Sequence, residues 1–346
     1  MSNGTILVAT VGQAVIRSAD EGKSWHRLGV GQAIEFDAIT RSLSQDPVEH
    51  EIIYAGTDVG LCVSKNCGGL WERIDTPFNG ETVWKVAVDP KNNQRIFVGT
   101  GAPSRAVLWR TLDGGQSWSR ANVEIPEFCE GVSRPRLLAF AYDPTDSNKI
   151  WFGLEEGGLF HSTDGGENWT RLDDRLLWDF NSDIHSIAVL PNHGKKVVVV
   201  VCVNAIYRSF DDGDTWSGII AKEAFDLYYA RSMSVHHATE DTVYISISDG
   251  TPGTTSKVLR STDAAATWEI LPLPLQPNSC VWAIHQHFDE PKKMVIGTKY
   301  GHVFTSENGG NSWIKQWREF SEISDVLWTP ASTEIKSLHQ SVIEKR

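Results

Sequence analysis

One eight-residue pattern recurs seven times along this 346-residue chain, and it constrains the fold more than any other feature. Each copy begins with Ser or Thr, has Asp or Asn two residues later and ends with Trp, and the fifth position is Gly in every copy but the sixth. Successive Trp residues of the pattern lie 45 to 52 residues apart, a period typical of four-stranded β-propeller blades. The copies, called the repeat turns below, are residues 18–25, 64–71, 111–118, 162–169, 209–216, 261–268 and 306–313.

The pattern has a direct physical interpretation as a hairpin turn. The Asp carboxylate accepts hydrogen bonds from nearby backbone N–H groups, Gly supplies a positive φ, and Trp opens the next strand. The sixth copy has Ala265 at the Gly position, which predicts a looser turn. Further turn signals divide each repeat into four strands, which in the second repeat are expected at 38–44, 52–56, 60–64 and 71–74.

The two ends of the chain predict how the ring closes. Three strands lie at the N-terminal end, at 6–9, 14–17 and 25–28, the last of which begins with the first repeated Trp, and one unmatched strand follows the last repeat at 324–329. One strand plus three complete a seventh blade, which removes the exposed sheet edges. The sequence therefore predicts an all-β fold. It is a single seven-bladed β-propeller of four-stranded antiparallel blades over residues 1–330, closed by the terminal strands and followed by a tail at 331–346.

The repeat turns resemble the Asp-box (BNR) repeat of the sialidase-like β-propeller superfamily. The resemblance covers nearly the whole chain and implies the propeller fold. Sialidases use an arginine cluster against a carboxylate, but they have six blades, and their Phe/Tyr-Arg-Ile-Pro segment does not occur near the N-terminus here. Two other groups are similar in their repeats: the xyloglucan-type glucanases, which work in a cleft between two propellers, and the propellers that assist photosystem II assembly.

Charge and cysteine content argue against several classes of function. The net charge is −12 at pH 7, whereas nucleic acids and anionic membranes are bound through a basic face. The longest apolar run, residues 197–203, is too short to span a bilayer. The five Cys residues form no CxxC pair, so we expect free thiols and a cytoplasmic location. No cofactor-binding motif is present, and the oligomeric state stays open.

Alignment of the innermost strands predicts which side chains surround the propeller axis. A desolvated guanidinium must be paired or must bind an anion, because an isolated buried charge is costly. Two interpretations of the axial arginines therefore stay open: an anion-binding pocket, or pairing with Asp37, Asp183 and Asp325. The two tryptophans either stack on a sugar or aromatic ring or fill the channel. The predicted ligand-binding residues are Arg41, Arg136, Arg231, Trp84, Trp282 and Tyr229.

Four side chains near the axis are candidates for proton transfer. His185 can act as a general base oriented by a neighbouring carboxylate, and glycoside hydrolysis needs two carboxylates on either side of the bond. Paired histidines on the strands of the fifth and sixth repeats leave a metal site open, although we predict none. The predicted catalytic residues are His185, Asp183, Asp37 and Asp325, and the paired histidines are His236, His237, His285 and His287.

Two functional hypotheses follow from these residues. The first is a cytosolic hydrolase or lyase that acts on a small anionic molecule or a sugar in the axial pocket. The second is a non-catalytic scaffold that holds a protein tail on the same face. Pocket depth distinguishes them, because a small-molecule site is a concave pocket with convergent polar groups. We favour the enzyme, and we expect no nucleic acid, membrane, metal or cofactor among its partners.

Overall fold

A computed structural model describes residues 4–29, 31–35, 37–176, 183–236 and 239–330, which form 28 strands in seven four-stranded antiparallel sheets. The predicted seven-bladed propeller is confirmed. The strands of the second repeat begin and end within two residues of their predicted bounds. The tail predicted at 331–346 lies outside the described residues.

The blades are numbered in chain order. Blade 1 contains β1 (Gly4–Thr10), β2 (Val15–Ser18), β3 (His26–Arg27) and, as its innermost strand, β28 (Ile323–Pro330). Blades 2 and 3 contain β4 (Thr40–Gln45), β5 (Ile53–Thr57), β6 (Gly60–Ser64) and β7 (Glu72–Arg73), then β8 (Val83–Asp89), β9 (Asn92–Thr100), β10 (Leu108–Thr111) and β11 (Ser119–Arg120).

Four further blades complete the ring. Blades 4 and 5 contain β12 (Arg136–Tyr142), β13 (Ile150–Glu155), β14 (Gly158–Ser162) and β15 (Thr170–Arg171), then β16 (Ile184–Leu190), β17 (Val197–Cys202), β18 (Ala205–Ser209) and β19 (Ser217–Ile220). Blades 6 and 7 contain β20 (Tyr229–Val235), β21 (Val243–Ser248), β22 (Ser256–Ser261) and β23 (Glu269–Ile270), then β24 (Val281–Gln286), β25 (Met294–Thr298), β26 (Val303–Ser306) and β27 (Ile314–Lys315). Helical turns occur at Asp173–Arg175, Asn192–Gly194 and Ala221–Phe225.

Ring closure takes place in blade 1, as the strand count predicts. β28 pairs antiparallel with β1 from Gly4 opposite Pro330 to Thr10 opposite Ile323. The C-terminal strand thus lies at the axis, and the N-terminal strands continue the same sheet outward. Backbone groups that would otherwise form an open edge are hydrogen-bonded by this pairing.

Each repeat turn is a small hydrogen-bonded unit, which the third copy illustrates. Thr111 Oγ1 accepts the backbone N–H of Gly115 at 3.0 Å and donates to Asp113 Oδ1 at 2.7 Å. Asp113 also accepts from the backbone N–H of Ser117 at 2.9 Å and from its hydroxyl at 2.5 Å. The indole N–H of Trp118 closes the unit on the carbonyl of Gly115 at 3.1 Å. Sequence and turn geometry therefore agree closely.

Three copies depart from the consensus Asp or Gly and keep the hydrogen bonds of the turn. Asn66 and Asn308 replace Asp in the second and seventh copies, and their Oδ1 atoms accept the N–H of Leu70 at 2.8 Å and of Ser312 at 2.9 Å. In the sixth copy the N–H of Ala265 reaches Ser261 Oγ at 2.9 Å, and the N–H of Thr267 reaches its Asp at 2.8 Å. The looser turn predicted there is wrong: Ala265 adopts the usual conformation at φ +64°. Backbone strain, not a lost contact, is the consequence of this substitution.

The hydrophobic core lies between neighbouring blades. One buried cluster joins Trp151 of blade 4 to Val198 and Tyr207 of blade 5, and Trp216 of the fifth repeat turn belongs to the same cluster. Each repeated Trp thus helps to fix one blade against another. None of the described helices is long and apolar enough to cross a membrane.

Every innermost strand carries a β-bulge at the same level of the propeller. In five blades the pairing with the second strand skips one residue of the inner strand, in blade 6 it skips Arg231 and Ser232, and in blade 1 the skip occurs between Asp325 and Ile323. A bulge re-aims a side chain, and here the skipped residues point toward the axis. The bulge positions are Arg41, Trp84, Leu138, His185, Arg231 with Ser232, Trp282 and Ser324.

Candidate functional site

A cavity of about 680 Å³ lies on the propeller axis and is lined by residues from all seven innermost strands. All of the bulge residues line it, so the bulges determine its wall. No residue of the seven repeat turns contributes to the lining. The volume falls in the range of small-molecule binding pockets. The axial cavity, and not the repeat motif, is therefore the candidate functional site.

The cavity wall is strongly cationic in an otherwise acidic protein. Among the described residues, six side chains with a permanent positive charge line it, against three carboxylates. Such a concentration of positive charge raises the local concentration of anions. The cations are Arg41, Lys85, Arg134, Arg136, Arg231 and Lys299, and the carboxylates are Glu155, Glu322 and Asp325.

Two tryptophan rings organise four of these cations. The guanidinium carbons of Arg41 and Arg136 lie 4.5 Å and 5.0 Å from the ring centre of Trp84, and we call this group the Trp84 stack. In the Trp282 stack, Arg231 and Lys299 each lie 3.9 Å from the ring centre of Trp282. Cation–π attraction holds such groups on the rings. Both rings are therefore in contact with cations, which leaves less free ring surface for a sugar than the sequence interpretation assumes.

Only one cation of each stack has a carboxylate partner. Arg136 pairs with Glu155 at 2.8 Å, and Lys299 pairs with Glu322 at 2.6 Å. Within the described ranges, neither Arg41 nor Arg231 forms an ion pair, and a buried guanidinium nitrogen of each has no hydrogen-bond partner. Burial lowers the pKa of Arg41 and the charge of Arg136 adds to this, although the charges of Asp58 and Glu322 act in the opposite direction. Among the described residues, the three axial arginines therefore form no ion pair with Asp37, Asp183 or Asp325.

His185 is buried, and each of its two ring nitrogens has a polar neighbour. Its Nδ1 donates to the carbonyl of Ala230 at 2.6 Å, and its Nε2 lies 3.3 Å from Asp183 Oδ1. Tyr229 packs against the imidazole, with ring centres 5.3 Å apart. Burial would raise the pKa of Asp183, but the contact with His185 and the charge of Arg231 outweigh it and hold that pKa below its ordinary value. Asp183 and Tyr229 lie behind His185 and do not line the cavity.

Asp325 connects two blades as well as lining the cavity. One oxygen accepts the backbone N–H of Leu43 at 2.8 Å, and the other accepts the N–H of Val326 at 2.9 Å. Burial raises the pKa of Asp325, although the charge of Lys85 and both backbone donors favour its ionised form. A carboxyl with a raised pKa can act as a general acid. The same contacts also give Asp325 a purely structural role.

Asp37 does not belong to the site. Its carboxylate is exposed, pairs with Arg27 at 3.2 Å, and is absent from the cavity lining. The loop before β4 turns this side chain outward, toward the outer strand of blade 1. The prediction of Asp37 as an axial carboxylate is therefore wrong, and Glu155 and Glu322 are the carboxylates that meet the axial cations.

Two of the paired histidines have hydrogen bonds that disfavour metal binding. His285 Nδ1 accepts the backbone N–H of Trp328 at 3.1 Å, and His287 Nδ1 accepts that of Asp289 at 3.1 Å. A neutral imidazole that accepts at one nitrogen carries its proton on the other, which disfavours a metal ion in that state. His287 nevertheless lies close to His50 and Asp289, with one ligand atom of each residue within 4.8 Å of the others. His236 binds the hydroxyl of Thr239 at 3.2 Å. His237 lies outside the described residues.

Comparisons of the sequence and the structure with known proteins identify several similar proteins. A family model described as Sortilin-Vps10 (sortilin, neurotensin receptor 3) matches residues 59–177, about a third of the chain. The xyloglucanase of Hypocrea jecorina (strain QM6a) is 23% identical over 334 residues, covering 83% of this chain and 39% of the relative. The photosystem II assembly lipoprotein Ycf48 of Synechococcus sp. (strain CC9902) is 24% identical over 250 residues, covering 71% of this chain and 63% of the relative.

A solved structure described as an ancestral GH74 enzyme is similar in fold. Its TM-score is 0.60 at 17% sequence identity, with 84% of this chain and 38% of that chain covered. The chain thus spans about two fifths of the xyloglucanase it matches and less than two thirds of Ycf48. Fold and comparisons together define a seven-bladed β-propeller, whose axial cavity is lined by arginine, lysine and tryptophan.

Proposed function

We propose that this protein binds a small anionic ligand, including an anionic sugar, in its axial cavity. The observation that carries the proposal is the pair of axial guanidinium groups, Arg41 and Arg231, that line the cavity without forming an ion pair within the described residues. A carboxylate or phosphate would supply the missing acceptors through charge-assisted, bidentate hydrogen bonds. Removal of one partner from such a desolvated contact costs on the order of 2–5 kcal/mol.

A substitution that keeps the charge tests the binding geometry. In calorimetric titrations with acetate and inorganic phosphate, Arg231→Lys is expected to weaken binding, because an ammonium group cannot reproduce the planar fork. The matched control is Arg120→Lys, since Arg120 also stacks on a tryptophan, at 5.0 Å from the ring centre of Trp109, but lies outside the cavity lining. Equal binding by both variants, or no binding of either anion by the unaltered protein, would exclude the proposal.

Glycoside hydrolysis is the second candidate, and the raised pKa of Asp325 favours it. A protonated carboxyl can protonate a leaving-group oxygen, and Glu322 in the same cavity is the proposed second carboxylate. The similarity to xyloglucanases is consistent with a sugar substrate, although this chain matches only part of those proteins. In this reaction, His185 would be a further proton carrier.

Product release from xyloglucan oligosaccharides tests the hydrolase candidate. General acid catalysis contributes about 100-fold to 10,000-fold in rate, so Asp325→Asn should lower turnover by at least that lower factor. Because Asp325 also connects two blades, the melting temperature of the variant must be measured in parallel. Absence of product with the unaltered protein, or full turnover by a folded Asp325→Asn variant, would rule this candidate out.

A protein partner is the alternative occupant, as in a scaffold similar to Ycf48. Three exposed aromatic side chains lie in loops around the cavity: Phe128, Tyr228 and Tyr300. Phe128 stacks on Arg134 and Tyr300 follows Lys299, and both cations line the cavity. Substitution of these rim residues by Ser should leave small-anion binding unchanged and should weaken binding only if a polypeptide is the ligand. A reducing compartment, consistent with the five free cysteines, remains part of the proposal.

A further inference from the structure

The Trp84 stack and the Trp282 stack lie on opposite sides of the axial cavity. The first is built from blades 2, 3 and 4, and the second from blades 6 and 7, so the two stacks face each other across the axis. Sequence period alone does not produce this arrangement, because the bulge positions of blades 4, 5 and 1 hold Leu138, His185 and Ser324. The cavity therefore has two cationic poles.

Each pole has the same composition of charge. It contains two cations on one tryptophan and a carboxylate that pairs with one of the two cations. Further carboxylates act from beyond ion-pair distance, Asp58 and Glu322 on Arg41 and Asp183 on Arg231. Arg41 at one pole and Arg231 at the other are left without an ion pair among the described residues. Like charges held close together on one ring repel each other, and an additional anion at each pole would relieve that repulsion.

We infer that the ligand carries two anionic groups, one for each pole. This inference rests on the proposed function, because it assumes that the axial cavity is an anion site. A molecule of this class, such as a linear dicarboxylate or a sugar with two acidic groups, places one anion on Arg41 and the other on Arg231. Its uncharged middle crosses the cavity near Leu138 and His185, which line the wall between the poles.

Two anchoring groups on one molecule give a characteristic affinity pattern. Once the first anion is bound, the second binds in an intramolecular step whose strength depends on the spacer length. Affinity should therefore rise to a maximum at one spacer length and fall on either side of it. A single-anion site shows no such optimum, because only one end of each ligand would be held.

Calorimetric titration of the full chain tests this pattern with the dicarboxylates from succinate to suberate. Each dicarboxylate is compared with the monocarboxylate of the same carbon number. At least one dicarboxylate should bind about tenfold more tightly than its monocarboxylate, a difference of about 1.4 kcal/mol. Arg41→Met and Arg231→Met should each reduce that affinity to the monocarboxylate value, and Arg120→Met, outside the cavity, should leave it unchanged.

The possible outcomes separate this inference from the proposed function. If mono- and dicarboxylates bind with equal affinity, or if only one of the two arginine variants matters, the two-anion ligand is excluded and a simple anion site remains. If neither class binds, the proposed function fails together with the inference. Should a Met variant fail to fold, Arg41→Lys and Arg231→Lys retain the charge, and each should still lower the dicarboxylate preference if its pole is occupied.

Discussion

The repeat turns and the axial cavity are built by the same seven blades and follow opposite rules. In the turns, seven similar sequences form similar structures, and the Ser or Thr hydroxyl and the Asp or Asn side chain accept backbone N–H groups of the same turn. The indole N–H bonds within the turn in three copies and has no partner among the described residues at Trp25, Trp71, Trp268 and Trp313. At the axis, seven equivalent bulges hold different side chains, and Arg41 and Arg231 keep buried nitrogens without a hydrogen-bond partner. Repeated groups that bond within their own turn stabilise a fold, whereas charged groups that line a cavity without an ion pair, and that differ from blade to blade, indicate a binding site.

The largest effect should come from removing the element that both regions need. Deletion of residues 323–346 removes β28, exposes the edge of β1 and takes Asp325 from the cavity wall. We expect the truncated protein to be insoluble or unfolded, because the ring is open and its edge can pair with other chains. Circular dichroism and sedimentation provide the measurement. A soluble, cooperatively melting product would mean that closure contributes little to stability.

The second prediction compares the two regions by replacing one tryptophan in each with alanine. Trp216→Ala empties a buried site in the core between blades 4 and 5 and should lower the free energy of unfolding by about 3–5 kcal/mol. Anion affinity of the folded protein should stay unchanged. Trp282→Ala should lower the free energy of unfolding by less than Trp216→Ala does. It should cause a loss of anion binding, because Arg231 and Lys299 lose the ring that holds them.

Denaturation curves and titrations of both variants provide this test. The comparison fails if Trp216→Ala weakens anion binding as much as Trp282→Ala does. It also fails if the two variants are equally destabilised and bind equally well. Either result would mean that the cavity and the turns are not independent parts of the molecule.

The sequence was sufficient to predict the fold, because the repeat turn encodes its own hydrogen bonds. It also placed Arg41, Trp84 and Trp282 on the axis, since their strands have the same hydrophobic pattern and the bulge occurs at the same position in each. Turn-forming residues predict the closing strand, β28, for the same reason. The sequence period is thus informative wherever every blade has the same local structure.

Ion pairing at the axis could be predicted only in part. Glu155 lies opposite Arg136 in the β12–β13 pairing, so hairpin register does encode that contact. Glu322 precedes β28 and meets Lys299 of blade 7, and strand patterns carry no information on this pair. The predicted axial position of the Asp37 carboxylate is wrong, because the direction of this side chain depends on a loop that no repeat constrains. Contacts between non-equivalent loops are decided by tertiary packing, which local sequence does not contain.

The third prediction concerns acid. The hydroxyls of Ser117 and Thr111 bond to Asp113 and lower its pKa to about 2. A carboxylate with a depressed pKa adds stability above its unfolded-state value of about 4, and this stability is lost as the pH falls through the folded-state value. Asp113→Asn should therefore melt below the unaltered protein at pH 7, and the difference should vanish toward pH 2. The effect should be smaller than that of Trp216→Ala, because Asp113 is exposed to solvent.

Thermal melts of both proteins between pH 7 and pH 2 measure this difference. Asp325 provides the contrast from the cavity, since burial raises its pKa and its ionised form is disfavoured in the folded protein. A constant difference in melting temperature between Asp113→Asn and the unaltered protein across the whole range would contradict the proposed role of the turn hydrogen bonds.

The smallest effect is expected within the turns themselves, where one copy has Ala and the others Gly. Ala265 adopts φ +64°, so Ala265→Gly should relieve strain and raise the free energy of unfolding by about 0.5–1 kcal/mol. The reciprocal change is Gly115→Ala at φ +94°, where a new Cβ would meet nothing closer than the ring of Trp118 at 3.6 Å. Strain alone should then destabilise that variant by a similar amount. Chemical denaturation measures both, and equal stability of all three proteins would show that the turn tolerates Ala without strain. Neither change should alter anion binding, because neither residue lines the cavity.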